Sequence, residues 1–196
     1  MAQDIPGDRS NGYEAVASVF MAQRSATIGV ETVRKWAREF APSATILDLG
    51  CGHGKPISQV LLDEHFAVYG VDASASMIAV MRMQLPSARV ECAAVEDSEF
   101  FGLTFDGVIA WGLMFLLTPA VQSLLIQKVS RALRLGGRFI FTAPQQACEW
   151  SDSLTGRKSV SLGVDAYRRV LGLEGLSFVG ECRDEGDNHY YMAAKK

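Results

Sequence analysis

The stretch Ile46-Leu47-Asp48-Leu49-Gly50-Cys51-Gly52-His53-Gly54 sets three glycines at alternate positions directly after an apolar run. Glycine allows a sharp turn and lets a ligand lie against the backbone. The free N–H groups at the start of the following helix can hold a polar or anionic group. The spacing is GxGxG, whereas the usual dinucleotide fingerprint is GxGxxG. An acid, Asp48, lies just inside the run. A second acid, Asp72, ends Tyr69-Gly70-Val71-Asp72, one helix later. At the carboxyl end of a strand such a carboxylate accepts hydrogen bonds from ribose hydroxyls. A bare β-to-α turn and a simple helix cap are the plainer readings of these two features. Standing one helix apart, they favour a binding site.

These residues need elements to position them. Residues 1 to 12 read as a loose lead-in. Tyr13 to Phe40 carries apolar residues at helical spacing, and two helices with a break near Ser25 are expected. Short apolar runs then alternate with helical patterns. Strands are expected over 44–49, 66–71, 89–93, 105–111 and 138–142. Helices are expected over 56–64, 74–85, with Ser74 as N-cap, and 119–135, with Pro119 near the start and Gly136-Gly137 after the end. Such alternation specifies an α/β architecture with a mainly parallel sheet. The tail reads as a helix over 163–173 and two antiparallel strands over 177–182 and 189–194, too close in sequence for a parallel crossover. The expectation is one domain over 1–196, with a helical lid or extension over 1–43 and a Rossmann-like core over 44–196. Its sheet would have seven strands, mainly parallel, in a three-layer sandwich with an antiparallel last strand.

The ordered segments DLGCGHG, GVDAS, TFDGVIAWG and LRLGGRFIFT resemble the motif set of class I S-adenosylmethionine-dependent methyltransferases. The similarity is firm over residues 44 to 143. It is closest to the methyltransferase-domain proteins that act on small molecules. The resemblance implies S-adenosyl-L-methionine as cofactor. It implies that Gly50, Gly52 and Gly54 pass beneath the methionine part, with Asp48 and Cys51 close by, and that Asp72 and Ala73 meet the ribose. The two-strand tail fits the same fold, in which the seventh strand is inserted beside the fifth.

After the third strand the resemblance thins. Many relatives carry an adenine-contacting Asp where this chain has Ala94. Val95 and Glu96 are the candidates to meet the base instead, through backbone or the Glu96 side chain. Glu96 and Asp97 as caps of a short helix are the alternative. Asp106 reads as a structural residue at the start of the fourth strand. At that strand's far end, Trp111, Met114 and Phe115 could form an apolar wall or belong to the core. There is no Asn/Asp-Pro-Pro-Tyr motif, which disfavours base methylation of DNA.

Methyl transfer from a sulfonium is an in-line displacement, so the protein's main task is alignment and exclusion of water. A general base is needed only when the acceptor loses a proton. Catalytic residues are not fixed by the sequence; the candidates are Tyr13, Glu149, His189 and Tyr190. Gln145, Gln146 and Trp150 join Glu149 on an expected substrate rim, and His189, Tyr190 and Tyr191 begin the last strand, where one or two of them are expected to line the pocket. His53 reads as a local hydrogen-bonding residue of the glycine loop.

The bulk properties narrow the function. A formal net charge of −3 lacks the footprint of an extended nucleic-acid surface. Cys51, Cys92, Cys148 and Cys182 form no CxxC pair, so neither a zinc site nor a disulfide framework is expected. The sequence shows no signal peptide or long apolar run, and a cytoplasmic location is expected. The partner expected is a small-molecule methyl acceptor, without nucleic acid, membrane or metal. An NAD-dependent oxidoreductase and a non-catalytic S-adenosylmethionine-binding module are the competing functions.

Overall fold

The computed structural model describes residues 7–196. The apolar runs become strands β1 (Thr45–Leu49), β2 (Ala67–Asp72), β3 (Arg89–Cys92), β4 (Phe105–Ala110) and β5 (Leu133–Thr142). The helices are α1 (Ala17–Gln23), α2 (Val30–Ala37), α3 (Ile57–Asp63), α4 (Ala75–Gln84), α5 (Pro119–Ala132) and α6 (Val164–Leu173). A hairpin, β6 (Cys148–Ser151) with β7 (Lys158–Ser161), stands apart from the main sheet, and β8 (Leu176–Arg183) and β9 (His189–Lys195) complete the chain. The main sheet has seven strands in the order β3-β2-β1-β4-β5-β9-β8. Its first five members are parallel, and β9 runs antiparallel to both β5 and β8. This is the Rossmann-like sheet expected, last strand included.

Alternation along the strands builds two cores. Leu47, Leu49, Val108, Phe139, Phe141 and Tyr191 face α5 and α6, where Leu125, Ile126, Val129, Tyr167 and Leu171 are buried. Ile46, Val68, Ile109, Ile140 and Tyr190 point the other way, onto Val33, Trp36, Ile57, Val60 and Leu61 of α2 and α3. Covered on both faces, β1 and β4 are largely apolar on both sides, with Asp48 and Asp106 as their acids. Strand order reverses at β1, which pairs with β2 on one side and β4 on the other. A crevice at the carboxyl ends of these strands follows from that reversal. Ser74 caps α4, its Oγ accepting from the Met77 N–H at 3.2 Å. Thr118 caps α5, with Pro119 in the first turn.

Three elements differ from expectation. Helix α5 stops at Ala132, not Leu135. Leu133 turns extended and pairs with Phe105, and the register then shifts across Gly136-Gly137 to set Arg138 opposite Gly107. Leu133 is buried while Leu135 is exposed, so the two leucines never shared a helical face. The β6–β7 hairpin was not expected. Third, α1 begins only at Ala17, and Tyr13 to Val16 lie in turns. Of the lead-in, residues 1–6 lie outside the described residues. Among the described residues no helix is long and apolar enough to cross a membrane.

Candidate active site

The crevice is lined by the glycine loop, by Asp72 and Ala73 after β2, by Val95 after β3, and by Trp111 to Leu113 after β4. Its opposite wall comes from the N-terminal segment: Ser10, Asn11, Tyr13, Phe20 of α1 and Arg24. The loop is stitched to β2. Gly50 N–H donates to the Val71 carbonyl at 2.8 Å, as does Cys51 N–H at 3.2 Å. Gly52 N–H donates to Asp72 Oδ2 and Ser74 N–H to Asp72 Oδ1, both at 2.8 Å. Each Asp72 oxygen thus spends one lone pair on the backbone and keeps another for a ligand. Burial pushes the Asp72 carboxyl up from its ordinary value, and these two N–H donors oppose the rise.

The glycines divide their work. Gly52, at φ +55°, would place a Cβ no nearer than 3.4 Å to Met77 Sδ, so its cleft side is open. Gly54 corrects the expectation. A Cβ there would stand 2.5 Å from Leu85 Cδ1, so its missing side chain serves packing on α4, and Gly54 is not a cleft residue.

Asp48 is buried at the cleft floor and accepts from Ser58 Oγ at 2.6 Å. Burial pushes its carboxyl up to about 7; the Asp72 charge adds to the rise, while Ser58 and Arg24 oppose it. The sign for stability follows. The folded state binds this proton more tightly than the unfolded state, so stability falls as pH rises from about 4 to about 7. Asp48→Asn should therefore gain thermal stability over the parent progressively across that range, by a few kcal/mol at most. Melting curves of both proteins at pH 4.5 and pH 8 check this; a constant difference would show that Asp48 titrates normally.

Arg24 escaped the sequence reading. It stands in the break between α1 and α2, with its guanidinium over the Trp111 ring at 3.9 Å and Phe20 at 5.0 Å. Its Nε is buried without a hydrogen-bond partner, and among the described residues no carboxylate pairs with it. Burial lowers its pKa to about 10. The Asp48 charge in the same cleft opposes the burial effect only in part, and the Nε donor of this partly buried side chain is left without an acceptor. His53 is also buried there, edge-on to Phe20 at 6.4 Å, with Nδ1 unpartnered. Burial and the nearby Arg24 and Lys55 charges hold its pKa below the ordinary value, so the ring is kept neutral.

The N-terminal segment is fastened on several sides. Glu14 accepts from Ser74 Oγ at 2.5 Å and from Ser76 Oγ at 2.6 Å. Arg9 pairs with Glu96 at 2.7 Å, and Asp8 lies 3.6 Å from Arg157. Tyr13 donates to Asp152 Oδ2 at 3.0 Å. Burial and the Asp152 charge push the Tyr13 phenol far up, which suits a fastening and not a base.

Other candidates separate. Asp48, Gly50, Cys51, Gly52, Asp72, Ala73, Val95 and Trp111 all line the cleft. Glu96 does not, because Arg9 holds its carboxylate and Lys128 Nζ donates to its carbonyl at 2.8 Å. The Val95 carbonyl is likewise taken by Lys128, at 3.0 Å. Met114 turns into the core beside α5, leaving Phe115 on the cleft. Glu149 is exposed and paired with Lys158 at 2.7 Å, away from the cleft. Tyr190 is fully buried behind Trp111 and donates to Asp184 at 2.8 Å, and burial and that carboxylate hold its phenol protonated. Tyr191 packs in the core and donates to the Pro144 carbonyl. Gln145, Gln146, Trp150 and His189 line a second hollow, which shares Phe115 with the cleft. Asp106 sits at the amino end of β4, the end away from the cleft, accepting from Thr45 N–H and Arg134.

A profile of the methyltransferase domain matches residues 46–137. An uncharacterized methyltransferase of Synechocystis sp. is 29% identical over 110 residues, 56% of this chain and 51% of that one. The chain therefore spans about half the length of the curated relative it matches. Among solved structures, the amino pentose methyltransferase CalS10 of Micromonospora echinaspora, bound to S-adenosylmethionine, superposes with a TM-score of 0.70 at 15% identity, covering 92% of this chain and 96% of that one. The magnesium protoporphyrin IX methyltransferase of Synechocystis PCC 6803 gives 0.68 at 15%, covering 99% and 86%. The glycopeptide N-methyltransferase MtfA gives 0.69 at 17%, covering 86% and 94%. These likenesses establish the fold.

Proposed function

We propose that the protein, whose residues 46–137 match the profile of the methyltransferase domain, catalyses S-adenosylmethionine-dependent methylation of a small molecule. One observation carries the reading. A cleft at the sheet's reversal point holds a carboxylate with spare lone pairs, Asp72, and a partly buried guanidinium whose Nε has no hydrogen-bond partner, Arg24. A nucleoside that also bears a carboxylate suits both. Asp72 would hold the ribose hydroxyls, and Arg24 the carboxylate of the methionine part. The loop from Gly50 to Gly52 would pass alongside it, and Val95 and Met77 would border the base. S-adenosylmethionine supplies an electrophilic methyl group on a sulfonium. The chain's own contribution is orientation and dryness. Trp111, Phe115 and Phe20 make apolar walls, and the segment from Ser10 to Tyr13 covers the opening.

The small-molecule part of the proposal rests on charge and on space. With a net charge of −3 the chain lacks the excess of cations that a phosphate backbone requires. The space beside the cleft carries two aromatic rings, Phe115 and Trp150, in a lining that is otherwise largely polar. CalS10 and the porphyrin enzyme are named for small-molecule substrates, which agrees with this reading. The test is a mass-spectrometric screen of metabolites incubated with the purified protein and S-adenosylmethionine. The expected result is a product heavier by one methylene. Methylation of tRNA or folded protein alone would sink the small-molecule reading. Saturable binding of NADH with none of S-adenosylmethionine would sink the whole.

A further inference from the structure

The second hollow opens beside the cleft, with Phe115 as the shared wall. Trp150, from the hairpin, packs on Phe115, with ring centroids 5.5 Å apart and a tilt of 44°. The packed pair leaves its outer aromatic surface on the hollow, where a planar guest can lie against it. At the hollow's inner edge stands His189, the first residue of β9, with its side chain 6% exposed. Its Nε2 lies 3.1 Å from Glu181 Oε2 on β8. An ionised carboxylate only accepts, so Nε2 carries the hydrogen, and in the neutral ring Nδ1 is left as an acceptor. Among the described residues Nδ1 has no partner. A buried acceptor without a donor is unfavourable, and a donor supplied by a ligand removes that cost.

Resting on the methyl-transfer reading, we propose that this hollow is the acceptor subsite and that it takes an aromatic or heteroaromatic molecule bearing an O–H or N–H group. The ring lies against Trp150 and Phe115. The O–H or N–H donates to His189 Nδ1. Glu181 is a positioning residue, holding the tautomer that leaves Nδ1 free.

The probes are phenol and toluene, equal in shape and differing in one donor. Each is titrated into the full-length protein, with and without S-adenosylmethionine, followed by nitrogen-15 resonances. Phenol, and not toluene, should move the unprotonated Nδ1 resonance of His189. The ratio of phenol to toluene affinity should fall at least fivefold in His189→Ala. In Trp150→Ala both affinities should fall at least fivefold with their ratio kept, which covers the case where His189→Ala does not fold. An unmoved Nδ1 resonance, an unchanged ratio in folded His189→Ala, or no binding of either probe up to its solubility overturns the proposal. Phenol binding as described, in a protein that does not bind S-adenosylmethionine, retires the methyl-transfer reading and leaves the aromatic site standing. Strong S-adenosylmethionine binding with the failures above does the reverse.

Discussion

Replacing Asp72 by alanine is expected to weaken S-adenosylmethionine binding at least tenfold, about 1.4 kcal/mol. Two losses combine. The ribose hydroxyls lose a buried, charge-assisted acceptor. The Gly52 and Ser74 N–H groups also lose the carboxylate that fixes the glycine loop against α4. The second loss acts on the unliganded protein too, and the melting temperature should fall. Asp72→Asn should land between the two, because its amide oxygen can accept from one of those N–H groups but not both. Titration calorimetry, with circular dichroism as a check on the fold, measures the effect. An affinity unchanged in a folded variant would reduce Asp72 to a tie between loop and helix.

Arg24→Met should move stability and affinity in opposite directions. Without ligand, the parent keeps a partly buried guanidinium whose Nε has no hydrogen-bond partner and whose attraction to Asp48 offsets the burial only in part. Methionine keeps a flexible apolar stem beside Trp111 and Phe20 and removes that cost, so the unliganded variant should melt higher. With ligand, the carboxylate loses its partner, and affinity should fall at least thirtyfold, about 2 kcal/mol. A ligand lacking the carboxylate, 5′-methylthioadenosine, should bind parent and variant within threefold. Equal loss for both ligands would place Arg24 in the architecture of the wall and not on the carboxylate. A variant less stable than the parent would show that the stacking on Trp111 outweighs the desolvated charge.

The sheet was legible because its central strands are buried on both faces and so appear as largely apolar runs, interrupted only by single acids such as Asp48 and Asp106, and closed by Gly50, Asp72 and Trp111. The glycine loop was legible because its conformation excludes side chains. What failed to register were features made by distant partners. Arg24 lies in the polar stretch Gln23-Arg24-Ser25, and nothing local marks it as buried; only the packing of Phe20 and Trp111 around it does. The β6–β7 hairpin consists of Cys-Glu-Trp-Ser and Lys-Ser-Val-Ser, too short and polar to show a period of two. Met114 and Phe115 are neighbours in sequence, yet a single 3-10 turn sends one to the core and one to the cleft. Tyr190 and Tyr191 likewise divide between the two faces of the sheet. Glu96 looked free to meet a base because its ion partner, Arg9, is 87 positions away.

The hydrogen bond from Tyr13 to Asp152 joins residues 139 positions apart, while Glu14 reaches Ser76 across only 62. During synthesis the segment at Tyr13 leaves the ribosome before α4 does, and it can dock on that helix as soon as the helix exists. Its second anchor is missing until the hairpin is made. Closing so long a loop is entropically slow, and its reward comes only after the intervening sheet has formed. The two halves of the cover therefore join late, over a crevice whose floor is already in place. A nascent chain stalled before residue 148 would hold an assembled glycine loop open to solvent along one side. It would also be cut readily by protease near Tyr13. The finished protein should resist cleavage at that position and in the 152–157 turn together, since each secures the other.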